Sequence, residues 1–371
     1  MCLLSSCGEN EETMRVANMH ELKNVALRHA KRFSISYSGS YKLVCLYGEK
    51  DIVDTTECLV LYQDEKPELG LANCRYIKCP TKRIASLSSI YSNMIVSLNE
   101  IEKITGIENV DYYHNNLIIE RVSSGIIREV QRGPDIDIEQ LISLNPEVVF
   151  SFGVGINTET VDRRLEKQNI NVVYLTDQLE DTPLARAEWI KFFACFINED
   201  SLANIYFDKV ESNYNELKNM VKDVAFKPKV ITEIKYGDSW FVPSGQSYLA
   251  KLIKDAGAKY IFDSINSPGS VPMSFETVYS YGKDAEYWLN LSLCKSKEDV
   301  LSQDKRYANF KAYKDGNLYN NTLHCNSKGY SNYWEDGFVN PDRILSDFIK
   351  IFHPNLTDSI NSNYHFYEKL K

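Results

Sequence analysis

At 371 residues the chain is longer than one hydrophobic core usually spans, and a hydrophobic content of 43% is enough to build two. Its 51 acidic and 42 basic residues leave a net charge of −9, which argues against the strong positive field of a sequence-independent nucleic-acid binder. No apolar run reaches the roughly 20 residues of a membrane-spanning helix.

The opening Met1-Cys-Leu-Leu-Ser-Ser-Cys-Gly8 reads as the end of a lipoprotein signal, with Leu4, Ser5 and Ser6 directly before an acylatable Cys7. The acidic stretch Glu9 to Glu12 reads as a tether, so residues 1–13 are assigned to a signal remnant and tether. The expectation is a chain lipid-anchored to the cell envelope, in the periplasm or on the cell surface.

Residues 14–79 read as a β-rich extension, with apolar runs at Tyr41–Tyr47 and Cys58–Tyr62 split by the polar Gly48–Asp51. At Pro80 the rhythm changes to alternating strand and helix. Arg83–Leu87 is a short strand, Ser88 or Ser89 caps a helix carrying Ile90, Met94, Ile95 and Leu98, and Asp137 leads into a helix over Ile138–Leu144. Pro146–Phe150 and Val172–Leu175 are strands around a helix at Val161–Gln168, which together make residues 80–184 one Rossmann-like lobe.

Residues 185–224 break the pattern. An aromatic stripe of Trp189, Phe192, Phe193 and Phe196 is followed by an interruption near Asn198-Glu-Asp200 and then a long helix to Asp223, roughly 35 Å at 1.5 Å per residue. Pro228 restarts the strand–helix rhythm, which closes with a helix through Arg343–Phe352, so residues 225–371 form a second lobe. The fold class expected is α/β: two Rossmann-like lobes joined by a single long backbone helix, with an N-terminal β-rich extension.

Beyond Cys2 and Cys7 the cysteines are an odd seven, at 45, 58, 74, 79, 195, 294 and 325, with no Cys-x-x-Cys pair. That spacing argues against zinc ribbons and thioredoxin chemistry and leaves disulfide pairing open. Catalytic signatures are missing too. There is no Gly-x-Ser-x-Gly elbow, His-Glu-x-x-His helix or Walker loop, the Ser-x-x-Lys strings at Ser292 and Ser302 lack their companion element, and Gly153-Val-Gly155 lacks the third glycine of a dinucleotide fingerprint. With six histidines spread along the chain, a bare-metal site is not expected, and neither an enzyme nor a resident cofactor is expected.

Five segments in this order carry a resemblance: Pro80-Thr-Lys-Arg-Ile-Ala-Ser-Leu-Ser88, Asp137–Phe150, Arg186-Ala-Glu-Trp-Ile-Lys191, Trp240-Phe-Val-Pro-Ser-Gly245 and Asp255-Ala-Gly-Ala258. Over roughly Pro80 to Pro354 the chain resembles the iron-chelate and cobalamin substrate-binding proteins of ABC importers, the class with a rigid helix between lobes. The Arg186–Lys191 wording looks like the Bacteroidetes branch. The resemblance implies capture of a ferric siderophore or related iron chelate between the lobes and its delivery to permease and ATPase subunits. Corrinoid or haem binding on the same fold, or a surface scavenging lipoprotein, are the alternatives.

Such a cleft stacks aromatic faces on a flat ligand and orients it with a few polar groups. Candidate cleft residues, placed where strands end or in the late loop, are Phe152, Tyr236, Trp240, Tyr330, Tyr333 and Trp334, with Arg128 and Arg132 as partners for an anionic chelate. Trp189 and Trp288 are expected in the core. Glu139 and Glu276 open corresponding helices in the two lobes, and the resemblance implies that such a pair faces arginines on the transporter.

Overall fold

The computed structural model describes residues 22–48, 55–69, 71, 74–132, 135–152, 164–165, 167–267, 269–359 and 363–371. In the first lobe five strands pair in the order Asn171–Leu175, Val148–Phe152, Ile84–Ser86, Ile104–Ile107, Arg128–Glu129, all parallel. Alternate residues serve opposite faces. Ile84, Val148, Phe150 and Val173 turn to the main core with the helices Ser89–Ser97 and Ile190–Ile197, whereas Ala85, Val149 and Val172 turn to a smaller cluster with Leu141 of helix Ile138–Leu144. Asp137 caps that last helix by accepting the Gln140 N–H at 3.0 Å. Most of the helix expected at Val161–Gln168 lies outside the described residues.

The second lobe repeats the plan, in the order Lys259–Tyr260, Lys229–Thr232, Tyr287–Leu289, Leu318–Asn320, Glu368–Lys369, with only the last strand antiparallel. A three-stranded antiparallel ribbon, Lys235–Tyr236, Ser239–Val242 and Val271–Met273, lies beside it. Helix Tyr248–Asp255 ends at Gly257, whose φ of +72° is the left-handed exit expected from Asp255-Ala-Gly257.

Between the lobes runs helix Asp200–Met220, separated from Ile190–Ile197 by left-handed Asn198 at φ 61°. It packs along helix Pro341–Phe352 and is tied to it by Asn213 Nδ2 donating to Asp342 Oδ2 at 3.0 Å. Trp189 and Trp288 are fully buried.

The N-terminal extension is a five-stranded sheet, Lys23–Asn24, Phe33–Ser38, Tyr41–Tyr47, Thr55–Tyr62 and Cys74–Lys78, antiparallel except for its last pair. Phe33, Ile35, Val44, Leu46, Leu59, Leu61 and Ile77 join the core of the first lobe, and the Phe33 ring lies 4.8 Å from Trp189. This explains why helix Ile190–Ile197 is buried on every side. The segment before Phe33 is clamped by two carboxylates: Glu188 accepts the N–H groups of Arg28, His29 and Ala30, and Glu180 those of Lys31 and Arg32. Among the described residues no helix is long and apolar enough to cross a membrane.

Candidate functional site

Parallel strands leave their carboxyl ends at one edge of a sheet, where the loops that follow can build a site. In the first lobe those ends supply Leu87, Ser88 and Ser89 after Ile84–Ser86, Glu108 after Ile104–Ile107, and Ser151 with Phe152 from Val148–Phe152. With Tyr112, Gln131, Ile136 and Gln178 they line a cavity of about 620 Å³, and Trp334 reaches in from the second lobe. A smaller cavity of about 190 Å³ is lined by the corresponding ends of the second lobe, Glu233, Asn290 and Asn320, together with Tyr330 and the same Trp334. Trp334 is thus shared by both, and it is 54% exposed.

The floor of the smaller cavity is unusual in its backbone. Glu233, Asn290 and Ser292 have φ of 63°, 60° and 56°, a left-handed conformation that costs non-glycine residues energy and persists where surrounding bonds enforce it. Those bonds are present. The Glu233 carbonyl accepts Trp288 Nε1 at 2.7 Å, its N–H donates to the Leu289 carbonyl at 3.0 Å, and its Oε1 accepts Asn290 Nδ2 at 3.2 Å.

Three carboxyl groups lie in or beside the cleft: buried Glu108 in the larger cavity, half-buried Glu233 in the smaller one, and buried Glu335 next in sequence to Trp334. Burial pushes Glu233 up to about 7, against the Asn290 bond that favours its charged form. Glu108 is pushed by burial to about 8 although Tyr113 Oη donates to it at 2.7 Å. Glu335, beneath Trp334, is raised by burial to about 7 while accepting the His114 and Asn115 N–H groups at 2.5 and 3.4 Å. Among the described residues no lysine, arginine or histidine lines either cavity.

The loop carrying Trp334 already bridges the lobes. Asn326 Nδ2 donates to the Asp111 carbonyl at 2.6 Å, His114 Nε2 donates to the Tyr330 carbonyl at 2.9 Å, and Tyr112 meets Tyr330 edge to face at 4.7 Å. Its π-helical turn, Tyr333–Gly337, has no counterpart in the sequence reading.

Of the expected cleft residues, the structure brings Phe152 and Trp334 together in the larger cavity and sets Tyr330 beside Trp334 in the smaller one. Trp240 and Tyr333 are corrected to the core. Strand alternation turns Trp240 inward and Phe241 outward, so the indole stacks on Trp288 at 5.6 Å and donates to the Thr232 carbonyl. Tyr333 is buried by the π-helical turn against Phe366 and Tyr367. Tyr236 sits 84% exposed on the ribbon and lines neither cavity. Arg128 folds over Gly125 and lines a separate outer pocket with Asn109 and Gln140. The Arg132 side chain and Cys7 lie outside the described residues. Glu108, Gln178, Glu233 and Asn290 were missed, yet each follows a strand, and applying the strand-end rule to every strand would have found them.

Glu139 and Glu276 occupy the same position in their helices, two residues after the caps Asp137 and Ser274. They are 79% and 75% exposed and each holds an arginine, Arg164 and Arg306 respectively.

Residues 84–322 match the family model described as periplasmic binding protein. The chain belongs to that family. An uncharacterized lipoprotein of Methanocaldococcus jannaschii is 29% identical over 299 residues, covering 78% of this chain and 69% of its own. That relative is archaeal rather than from the Bacteroidetes branch that the motifs resemble. A possible iron-binding, periplasmic solute-binding protein from Staphylococcus epidermidis shares the fold with a TM-score of 0.60 at 18% identity, covering 74% of this chain and 99% of its own. A periplasmic heme binding protein from Pseudomonas aeruginosa does so with a TM-score of 0.57 at 14% identity, covering 74% and 93%. Membership of the periplasmic binding protein family makes this a solute-binding protein associated with the cell envelope.

Proposed function

We propose that this periplasmic binding protein is the substrate-binding component of an ABC importer and captures an iron chelate, a ferric siderophore or related complex, between its lobes. The observation that carries this reading is the cleft itself: strand ends from both lobes converge on Trp334, with Phe152, Tyr112 and Tyr330 as further aromatic surface. The structural neighbours described as a possible iron-binding protein and a heme binding protein support it. Among the described residues neither cavity offers a basic side chain, and each contributes a carboxyl group, Glu108 or Glu233, so an anionic catecholate would find no counter-charge there and a chelate with no net negative charge, such as a ferric hydroxamate, is favoured. The anionic preference drawn from Arg128 loses its support, because that side chain lies outside both cavities.

Binding is measured by titrating ferric hydroxamates, ferric catecholates, haem and corrinoids, reading tryptophan fluorescence and confirming each response by calorimetry. Saturable binding of an uncharged ferric hydroxamate is expected. Trp334→Ala is expected to weaken it about 30-fold, equivalent to ~2 kcal/mol. A tight corrinoid response alone would keep the cleft and replace the ligand, and no response to any compound would sink the importer reading. We further propose that Cys7 carries the lipid anchor and that Glu139 and Glu276 meet the permease.

A further inference from the structure

The N-terminal sheet carries chemistry that the cleft does not use. Cys45 stands directly opposite Cys58 across an antiparallel pair, and Cys58 directly opposite Cys74 across the neighbouring parallel pair, so the three thiols form a row on one face. That face is turned away from Val44, Leu46, Leu59 and Leu61, which point into the core. The Sγ atoms of Cys45 and Cys58 are 3.8 Å apart, and all three cysteines are half-buried, whereas Cys79, Cys195 and Cys294 are buried.

We propose that Cys45, Cys58 and Cys74 form a thiol–disulfide exchange site that reacts with low-molecular-weight disulfides, with Cys58 as the shared central sulfur. Directly opposed strand residues place their Cβ atoms about 4.5–5.5 Å apart, so side-chain rotation with a small strand adjustment brings the sulfurs to the ~2.05 Å of a disulfide. Among the described residues no group of His, Cys, Asp and Glu is arranged to hold a metal ion, and a row of three on adjacent strands suits pairwise chemistry better than convergence on one centre.

Cys45 is the natural first nucleophile. The Cys58 thiol donates toward it and lowers it to about 7, whereas Cys58 is raised by that same bond and by burial. Its thiolate attacks one sulfur of a small disulfide RS–SR, forming a mixed disulfide and releasing RS⁻. Cys58 gives its proton to solvent and attacks the Cys45 sulfur, which forms the Cys45–Cys58 bond and releases the second RS⁻. The net change is one protein dithiol oxidised and one RS–SR reduced to two RSH. Attack of the Cys74 thiolate on Cys58 then moves the bond to Cys58–Cys74 and frees Cys45, with no further redox change. An envelope location is one where such a bond persists.

The test treats the full-length native chain with glutathione disulfide, blocks remaining thiols after denaturation and maps linked peptides by mass spectrometry. The parent is expected to lose two thiols per chain, with Cys58 in every linked pair. Cys45→Ser should redirect the link to Cys58–Cys74. Cys58→Ser should abolish intrachain links and leave a lasting glutathione adduct on Cys45. The proposal is overturned if parent Cys45 and Cys58 each keep separate adducts, if both stay reduced while Cys325 reacts, or if Cys58→Ser still links Cys45. The parent mapping decides the matter even if a variant does not fold.

Discussion

Single side chains in the cleft carry a pH signature. Glu233 and Glu335, at about 7, and Glu108, at about 8, all stand above the ordinary 4.5, with burial as the leading cause. Each binds its proton more tightly folded than unfolded. The folded state therefore holds more protons between 4.5 and the raised value, and stability is full below that window and falls as pH rises through it. For Glu233 alone the loss is on the order of 3 kcal/mol. Urea unfolding from about pH 5 to about pH 9 should show the decline, and Glu233→Gln should make it shallower, leaving the share of Glu108 and Glu335. An equally steep fall in that variant would show that the carboxyl is not the source. The same residues mark a limit of sequence reading. Trp240 and Tyr333 have the composition of ligand-stacking residues, and only the strand register of one and the π-helical turn of the other send them inward. The strand is 4 residues long and the turn 5, too short for a period to be counted in the sequence.

Elements were read more reliably than side chains because their periods are long enough to count. Among the described residues the alternation from Pro80 onward, the two-lobe plan, the break at Asn198 and the long helix follow the residue pattern, the helix expected at Val161–Gln168 lying mostly outside them. What the pattern did not contain was the docking of the N-terminal sheet. Its apolar alternation names a buried face without naming what covers it, and the contact with Trp189 joins residues more than a hundred positions apart. Helix termini can be tested directly. A Cβ at Gly257 would lie 2.9 Å from His353 Nε2 and 3.0 Å from Val221 Cβ, at a φ of +72°. Gly257→Ala should cost about 2 kcal/mol in denaturant unfolding, with ligand affinity of the folded chain unchanged. A change below ~0.5 kcal/mol would mean that the helix exit relaxes freely.

At the scale of the whole molecule, the two lobes present matching carboxylates on matching helix starts. Arg164 and Arg306 already hold Glu139 and Glu276, so an arginine of a permease would have to displace a resident one, an exchange that keeps each contact weak and reversible. The paired substitution Glu139→Ala with Glu276→Ala should abolish stimulation of the cognate transporter's ATPase while leaving ligand affinity intact. Undiminished stimulation would refute the docking assignment. Under the proposed docking, with one foothold on each lobe, single substitutions should each lose part of the effect.

The clamp of Glu180 and Glu188 on residues 28–32 has a mechanical consequence. It fastens residues 28–32 through five backbone N–H groups, and Arg28 and His29 reach on to Asp208 and Glu211 of the long helix. A pull on this segment is therefore taken up by the first lobe and the long helix together. The second lobe is reached both through that helix and through the bridging loop at Asn326 and Tyr330, so a load passes to it along two routes and shears the cleft between them little.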